Sequence, residues 1–108
     1  MSYTSVYATI EPDRAEVDAF AGASVIEFGA PWCGHCIAAQ PLLEAVLARH
    51  PDVRHLKIED GRGRPLGRSF RVKLWPTLVL LRDGEELARV VRPEQIEEVH
   101  QLLARIDV

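Results

Sequence analysis

The pattern of apolar and polar residues predicts strands separated by helices in the first half of the chain. Runs rich in β-branched or aromatic residues predict strands at 3–9, 24–28 and 53–58. Apolar residues at helical spacing over 12–21 predict a first helix, which Gly22 is placed to end. A longer helix is predicted over 33–49, where apolar side chains fall on one face.

The second half of the chain predicts a hairpin and a final helix. A turn-rich stretch at 61–69 precedes two apolar runs at 78–81 and 86–91, and the Arg-Asp-Gly-Glu sequence between these runs predicts a turn. The apolar density of both runs predicts central strands. After Pro93, apolar residues recur on one face over 94–106, which predicts a helix that covers one face of the sheet.

Both cysteines of the chain follow the second predicted strand, in the sequence Ala-Pro-Trp-Cys-Gly-His-Cys at 30–36. Their spacing lets one helical turn bring the two sulfurs together, with Cys33 at the helix N-terminus and Cys36 one turn further in. Free amides and the helix dipole favour a thiolate at Cys33, which predicts a nucleophile there and a resolving thiol at Cys36. A protonated His35 would stabilise that thiolate further and so disfavour a strongly reducing pair.

The stretch from Glu27 to Cys36, Glu-Phe-Gly-Ala-Pro-Trp-Cys-Gly-His-Cys, resembles the active-site segment of the thioredoxin superfamily. Its last seven residues resemble protein disulfide isomerase domains. The resemblance covers nearly the whole chain and implies one domain over 1–108 with the α/β thioredoxin fold. That fold is a central mixed sheet of about five strands flanked by helices, in the order β-α-β-α-β-α-β-β-α. It also implies that Cys33 is the exposed nucleophile and that Cys36 resolves the mixed disulfide, although Ile37 stands where many relatives have Lys or Arg.

The same resemblance implies a substrate groove around the dithiol. Its predicted residues are Trp32, Gly34, Trp75, Pro76 and Arg92. Pro76 is expected to be cis and to hold the preceding backbone opposite Cys33, although by residue type alone it would simply begin a strand. Trp32 and Trp75 are interpreted as an apolar lip, with half-buried packing as the alternative for Trp75. Arg92 stands where thioredoxins have glycine, and it would either narrow the groove or contact a partner.

Glu27 is a carboxylate within an apolar strand. Burial of such a group raises its pKa, which suits a proton shuttle. The resemblance places Glu27 below Cys36, whose proton it would accept, and Lys57 on the next predicted strand is its possible charge partner. In the alternative interpretation Glu27 faces solvent on an edge strand. A register slip of one residue would likewise turn Lys57 to the opposite face.

Composition narrows the class of protein. The chain has 108 residues, a net charge of −3 and no apolar run of membrane-spanning length, which excludes a generally basic nucleic-acid binder and predicts no membrane association. The first residues resemble no secretory signal, so a cytoplasmic location is expected. Two cysteines in such a chain favour catalysis or metal binding over a structural disulfide. A zinc site would need two histidines beside the cysteines, and no histidine has finger spacing, so no metal or cofactor is expected beyond the redox-active Cys33–Cys36 disulfide.

These observations predict a monomeric thiol–disulfide oxidoreductase that exchanges disulfides with protein substrates and is recycled by a separate reductase or oxidant. The direction of exchange stays open, because His35 favours an oxidant or isomerase and the cytoplasm favours a reductase. The alternative is a binding, chaperone or assembly module with this fold, in which the dithiol is not essential.

Overall fold

A computed structural model describes residues 2–107 of the chain. The elements, in chain order, are α1 (Arg14–Asp18), β1 (Ala23–Gly29), α2 (Gly34–Leu47), β2 (Arg54–Glu59), α3 (Pro65–Ser69), β3 (Thr77–Arg82), β4 (Glu85–Val91) and α4 (Ile96–Ala104), with a short 3-10 helix at Arg105–Asp107. None of the helices in residues 2–107 has the length and apolar character needed to span a membrane.

One mixed sheet has the strand order β2-β1-β3-β4. β1 and β2 are parallel and are joined through α2, whereas β1 and β3, and β3 and β4, pair antiparallel. β3 lies inside the sheet as predicted, but β4 is an edge strand and not a central one. This α/β arrangement is the predicted thioredoxin fold.

The expectation of about five strands is wrong by one, because 3–9 forms no strand. Only Tyr7 makes an isolated parallel bridge, to Lys57 at the outer edge of β2. Closer to the N-terminus, a side chain accepts a hydrogen bond that a neighbouring strand would otherwise accept. The backbone N–H of Thr4 donates to His55 Nδ1 at 3.0 Å. A backbone donor used in this way cannot join a β-ladder, so the segment docks on the sheet edge without extending it.

The sheet is covered on both faces, so β1 and β3 read as nearly continuous apolar runs. Side chains alternate between the faces. On the face covered by α1 and α3, Ile26 and Phe28 pack with Leu66 and Phe70. On the face covered by α2 and α4 the buried apolar residues include Val25, Ala39, Leu43, Leu78, Leu80, Val99 and Leu103.

Local sequence explains where the elements begin and turn. α1 begins at a capping box, in which Asp13 accepts from the Glu16 amide and Glu16 accepts from the Asp13 amide. The β3–β4 hairpin turns through Asp83 and Gly84, whose φ angles of 51° and 81° are the positive values that a two-residue type I′ turn requires. The final helix begins later than predicted, at Ile96.

Candidate active site

The two cysteines lie at the N-terminus of α2, directly after β1. Cys33 is the N-cap residue, and its Sγ accepts a hydrogen bond from the backbone N–H of Cys36 at 3.2 Å. Both thiols are free. Cys33 retains 8% of its surface exposed and Cys36 only 1%, so the first sulfur lies nearer the surface and the second is buried behind it.

Gly29, the last residue of β1, lets the Cys36 sulfur pack against the strand. A Cβ at position 29 would lie 2.6 Å from Cys36 Sγ and 3.4 Å from the Tyr7 hydroxyl. Burial, followed by the hydrogen bond with Cys33, raises the pKa of Cys36 to about 12. Burial and then the neighbouring Cys36 raise the pKa of Tyr7 as well. Cys36 therefore needs a base in order to ionise near neutral pH.

Glu27 occupies the α2 face of β1 and is fully buried, which rules out the solvent-facing alternative. Its Oε1 lies 2.9 Å from His55 Nε2. Its Oε2 accepts from Gln40 Nε2 at 2.7 Å and from Lys57 Nζ at 3.2 Å. Tyr3 extends this cluster by donating its hydroxyl to Gln40 Oε1. Glu27 and Lys57 are register partners across β1 and β2, so the two side chains meet on the same face.

The expectation of a raised pKa for Glu27 is wrong. Burial does raise the pKa, but the hydrogen bond from His55, the charge of Lys57 and the hydrogen bond from Gln40 outweigh it, and the pKa falls below the usual 4.5. The sequence predicted the burial and one possible cation, Lys57, but not the two further donors, which come from β2 and α2. Glu27 is therefore an ionised carboxylate at neutral pH.

A surface cavity of about 220 Å³ connects this cluster with the dithiol. Its lining includes Tyr7, Cys36, Gln40 and Lys57. Lys57 Nζ also lies 4.7 Å from the centre of the Tyr7 ring and donates to Gln40 Oε1 at 2.7 Å. The cavity gives solvent a route to the buried cysteine.

Aromatic side chains surround the other side of the dithiol. Trp32 is 73% exposed, and its ring meets the half-buried ring of Trp75 edge-on, with 5.5 Å between centroids. Trp75 packs against the buried cysteines, and its Nε1 donates to Asp60 Oδ2 at 2.9 Å. The Trp75–Pro76 peptide bond is cis. Gly34, the first residue of α2, is exposed with open space where a Cβ would project.

Arg92 directly follows β4 and donates two hydrogen bonds to the cis-proline segment. Its backbone N–H donates to the Pro76 carbonyl and its Nε donates to the Trp75 carbonyl, both at 2.8 Å. Its φ of 49° lies in the left-handed region, where glycine is favoured and a side chain costs about 1 kcal/mol.

His35 lies away from the carboxylate cluster. It is exposed on the first turn of α2 and lines a shallow cavity with Arg92 and Glu94. Within residues 2–107, no cluster of three or more His, Cys, Asp or Glu side chains is arranged to hold a metal ion. The histidines other than His35 do not gather at the cysteines: His55 contacts Glu27, whereas His50 and His100 line a separate surface cavity beside α4.

Comparison with known proteins identifies the family. The family model for thioredoxin matches residues 9–105. The chain belongs to the thioredoxin family. A thioredoxin of Chlamydia trachomatis is 36% identical over 85 residues, which cover 78% of this chain and 82% of that protein. Thioredoxin H2-1 of Oryza sativa subsp. japonica is 38% identical over 73 residues, which cover 68% of this chain but only 53% of that longer relative.

A solved thioredoxin structure supports the same assignment. Thioredoxin 2 from Pseudomonas aeruginosa, in its reduced form, superimposes with a TM-score of 0.85 at 54% identity, and the match covers 94% of each chain. Thioredoxins are thiol–disulfide oxidoreductases that act on protein disulfides, and their redox group is a cysteine pair, with no further cofactor. Membership in the family gives this chain the same activity, with Cys33 and Cys36 as the pair.

Sequence reasoning missed several residues at this thioredoxin site. Gln40 lies one helical turn after Cys36, and His55 lies two residues before Lys57, so helix and strand periodicity respectively place both beside Glu27. Helix periodicity counted from Cys36 and strand periodicity counted from Lys57 would have found them. Tyr3 and Tyr7 had no such signal, because the segment that holds them forms no regular element.

Proposed function

We propose that this chain reduces disulfide bonds in proteins. The Cys33 thiolate attacks one sulfur of a substrate disulfide, forms a mixed disulfide and expels the first substrate thiolate. The Cys36 thiolate then attacks Cys33 Sγ, which forms the Cys33–Cys36 disulfide and releases the second substrate thiolate. Two electrons pass from the dithiol to the substrate, and a separate reductase restores the pair.

The observation that carries the proposed exchange mechanism is the asymmetry between the two sulfurs, which assigns one role to each cysteine. Cys33 is the more exposed cysteine and caps α2, whereas Cys36 is buried and carries a strongly raised pKa. The buried, ionised Glu27 is proposed as the group that takes the Cys36 proton, and Lys57 as its charge partner. Only one sulfur is therefore ready to attack a substrate, and the other waits for the mixed disulfide.

The proposed substrate groove runs between the aromatic residues and the cis-proline segment. Trp32 and Trp75 supply apolar surface, and the open space at Gly34 lets a substrate chain approach Cys33. Pro76 would hold backbone for pairing with the substrate, and Arg92 would limit the width of the groove. His35 is proposed to stabilise the Cys33 thiolate through its charge when it is protonated.

The remaining sequence predictions belong to the same proposal. We propose a single domain over 1–108 that acts as a monomer on protein disulfides, with no metal or other cofactor and no nucleic-acid partner. The cytoplasmic location stays a prediction, and it favours the reductase direction because the cytosol keeps thiols reduced.

Trapping of a mixed disulfide tests the roles of the two cysteines. Cys36→Ser is expected to retain a disulfide-containing protein such as insulin as a covalent adduct at Cys33, and the matched variant Cys33→Ser is expected to retain none. Equal adducts in both variants would contradict the assigned roles. If cells that carry either variant behaved like the wild type, the alternative of a binding module with a non-essential dithiol would be favoured over the oxidoreductase.

Redox equilibration against glutathione, followed by tryptophan fluorescence, tests the direction. A midpoint near about −270 mV is expected for a reductase, whereas one near about −180 mV would indicate an oxidant or isomerase. Trp32→Phe identifies the reporting side chain, because Trp32 and Trp75 are the two tryptophans of the chain.

A further inference from the structure

His55 is a buried histidine with a partner at each ring nitrogen. Nδ1 lies 3.0 Å from the backbone N–H of Thr4, and Nε2 lies 2.9 Å from Glu27 Oε1. The side chains of His55 and Glu27 both have zero exposure. The Tyr3 ring stacks on the imidazole with 5.5 Å between ring centroids. The imidazole is therefore fixed in place from the N-terminal segment as well as from the sheet.

The Thr4 contact determines the tautomer of His55. An amide N–H can only donate, so Nδ1 must accept and cannot carry a proton. The ring proton then lies on Nε2, and the neutral imidazole donates it to the Glu27 carboxylate. In the described structure, His55 is the hydrogen-bond donor to Oε1, while Gln40 and Lys57 donate to Oε2. The two carboxylate oxygens are thus held by separate donors.

We propose that His55 is a positioning residue that keeps Glu27 ionised and correctly oriented as the base for Cys36. The inference rests on the proposed role of Glu27 in resolution and extends it to a residue that touches neither sulfur. Without His55, Oε1 would be buried with no donor, a situation that disfavours a charged carboxylate. Glu27 would then hold its proton at a pH where the native cluster releases it.

Other charged and titratable groups around Glu27 also affect its protonation. His55 and Lys57 face it from β2, and Cys36 approaches from α2. Tyr3 and Tyr7 approach from the N-terminal segment. The two tyrosines and Cys36 are neutral near neutral pH, since their ordinary pKa values lie above it and burial raises these values further. Besides His55, Lys57 and the Gln40 amide favour the ionised carboxylate, and both act on the other oxygen.

The affected step is the resolution of the mixed disulfide. The Cys36 S–H proton moves to the Glu27 carboxylate, and the resulting thiolate attacks Cys33 Sγ. The Cys33–Cys36 bond forms, the bond from Cys33 to the substrate sulfur breaks, and the substrate leaves as a thiolate. Glu27 returns its proton to solvent or to the leaving thiolate. His55 keeps its own proton throughout, so it orients and stabilises the base without exchanging a proton.

Stopped-flow kinetics with dithiobis(nitrobenzoate) separates this step from the first attack. Reaction at Cys33 releases one nitrothiobenzoate, and resolution by Cys36 releases a second, so the two phases report the two cysteines. We expect His55→Leu to move the acid limb of the pH–rate profile of the second phase upward by about one pH unit, which slows that phase about tenfold on the acid side of the limb, well below pH 4.5, and leaves the first phase unchanged. His55→Gln places an amide donor near Oε1 and is expected to restore most of the rate.

Leu56→Ala is the matched control, because Leu56 neighbours His55 on β2 but packs with the core on the opposite face. It is expected to lower stability without moving the acid limb. If His55→Leu does not fold, His55→Asn replaces it, since its shorter amide does not reach Oε1. A carbon-13 titration of the Glu27 carboxyl in His55→Asn and His55→Gln then reports the same difference.

The second phase could show the same acid limb in its pH–rate profile for the wild type and for His55→Leu or His55→Asn. That result would overturn the role of His55 and leave the proposed function intact. An equal shift in Leu56→Ala would overturn it too, because the effect would then be structural. Absence of a second phase in the wild type would overturn the proposed resolution by Cys36, and the role of His55 with it.

Discussion

The two faces of the sheet use the same strands but bury different kinds of side chain. Under α1 and α3, residues such as Phe28 and Phe70 form an apolar core, with their ring centroids 5.6 Å apart. Under α2 and α4 the apolar core is interrupted by Glu27, His55 and Lys57, at the end of β1 that leads to the dithiol. The first face contributes stability, and the second also holds the carboxylate that we propose as the base for Cys36.

This difference shows how a small domain accommodates a buried charge. Each buried polar atom of the cluster has a partner from another element: β1 supplies the carboxylate, β2 supplies His55 and Lys57, and α2 supplies Gln40. A carboxylate buried without such donors would be costly. The cluster is therefore placed where α2, β1 and β2 converge, which is also where Cys36 is buried.

The largest expected effect comes from breaking the apolar face. Phe28→Ala removes a fully buried ring, and we expect the free energy of unfolding to fall by about 3–5 kcal/mol in urea denaturation. The rate of nitrothiobenzoate release by the folded fraction should be unchanged, since Phe28 faces away from Glu27. A selective loss of the second phase would show that the two faces are not independent.

Breaking the polar face should affect chemistry more than stability. Glu27→Gln keeps the shape of the side chain but removes the base, so we expect resolution by Cys36 to slow about 100-fold at neutral pH. The matched control is Glu44→Gln, which makes the same change on the exposed face of α2. A rate for Glu27→Gln within twofold of the wild type would contradict the assignment of Glu27 as the base.

The pH dependence of stability sharpens the comparison. Because the pKa of Glu27 is lowered in the folded state, its ionised form stabilises the fold above the usual value of 4.5, and this contribution disappears as the pH falls through the folded pKa. In urea denaturation from about pH 7 to about pH 3, the gap in unfolding free energy between the wild type and Glu27→Gln should narrow on acidification. A gap that widens on acidification would mean that the folded pKa is raised.

The smallest effect is expected outside both faces, at Arg92. Arg92→Gly relieves left-handed backbone strain but loses the hydrogen bond to the Trp75 carbonyl, and each effect is about 1 kcal/mol. We expect the free energy of unfolding to change by less than about 1 kcal/mol, with Arg62→Ala at an exposed position as a control for loss of charge. A loss above about 2 kcal/mol would show that the contact with Trp75 dominates.

Most of the fold could be predicted from the sequence, because the signals for these strands and turns lie within a few neighbouring residues. Nearly continuous apolar runs placed β1 and β3 within one residue of their observed bounds, and the Asp-Gly pair predicted the hairpin turn. The prediction of a strand at 3–9 was wrong because the outcome depends on distant residues. The residues of 3–9 favour extended structure, but side chains such as His55 determine whether they join a β-ladder.

The sequence by itself determined the dithiol and its place after β1, because two cysteines separated by two residues at a helix start specify their own geometry. It also favoured a buried position for Glu27 over the solvent-facing alternative. Only the tertiary structure decided that this carboxylate is ionised, because its donors come from β2 and α2 and its pKa depends on the sum of burial and these contacts. Periodicity predicts which face a side chain occupies, whereas its protonation depends on the groups that folding brings to that face.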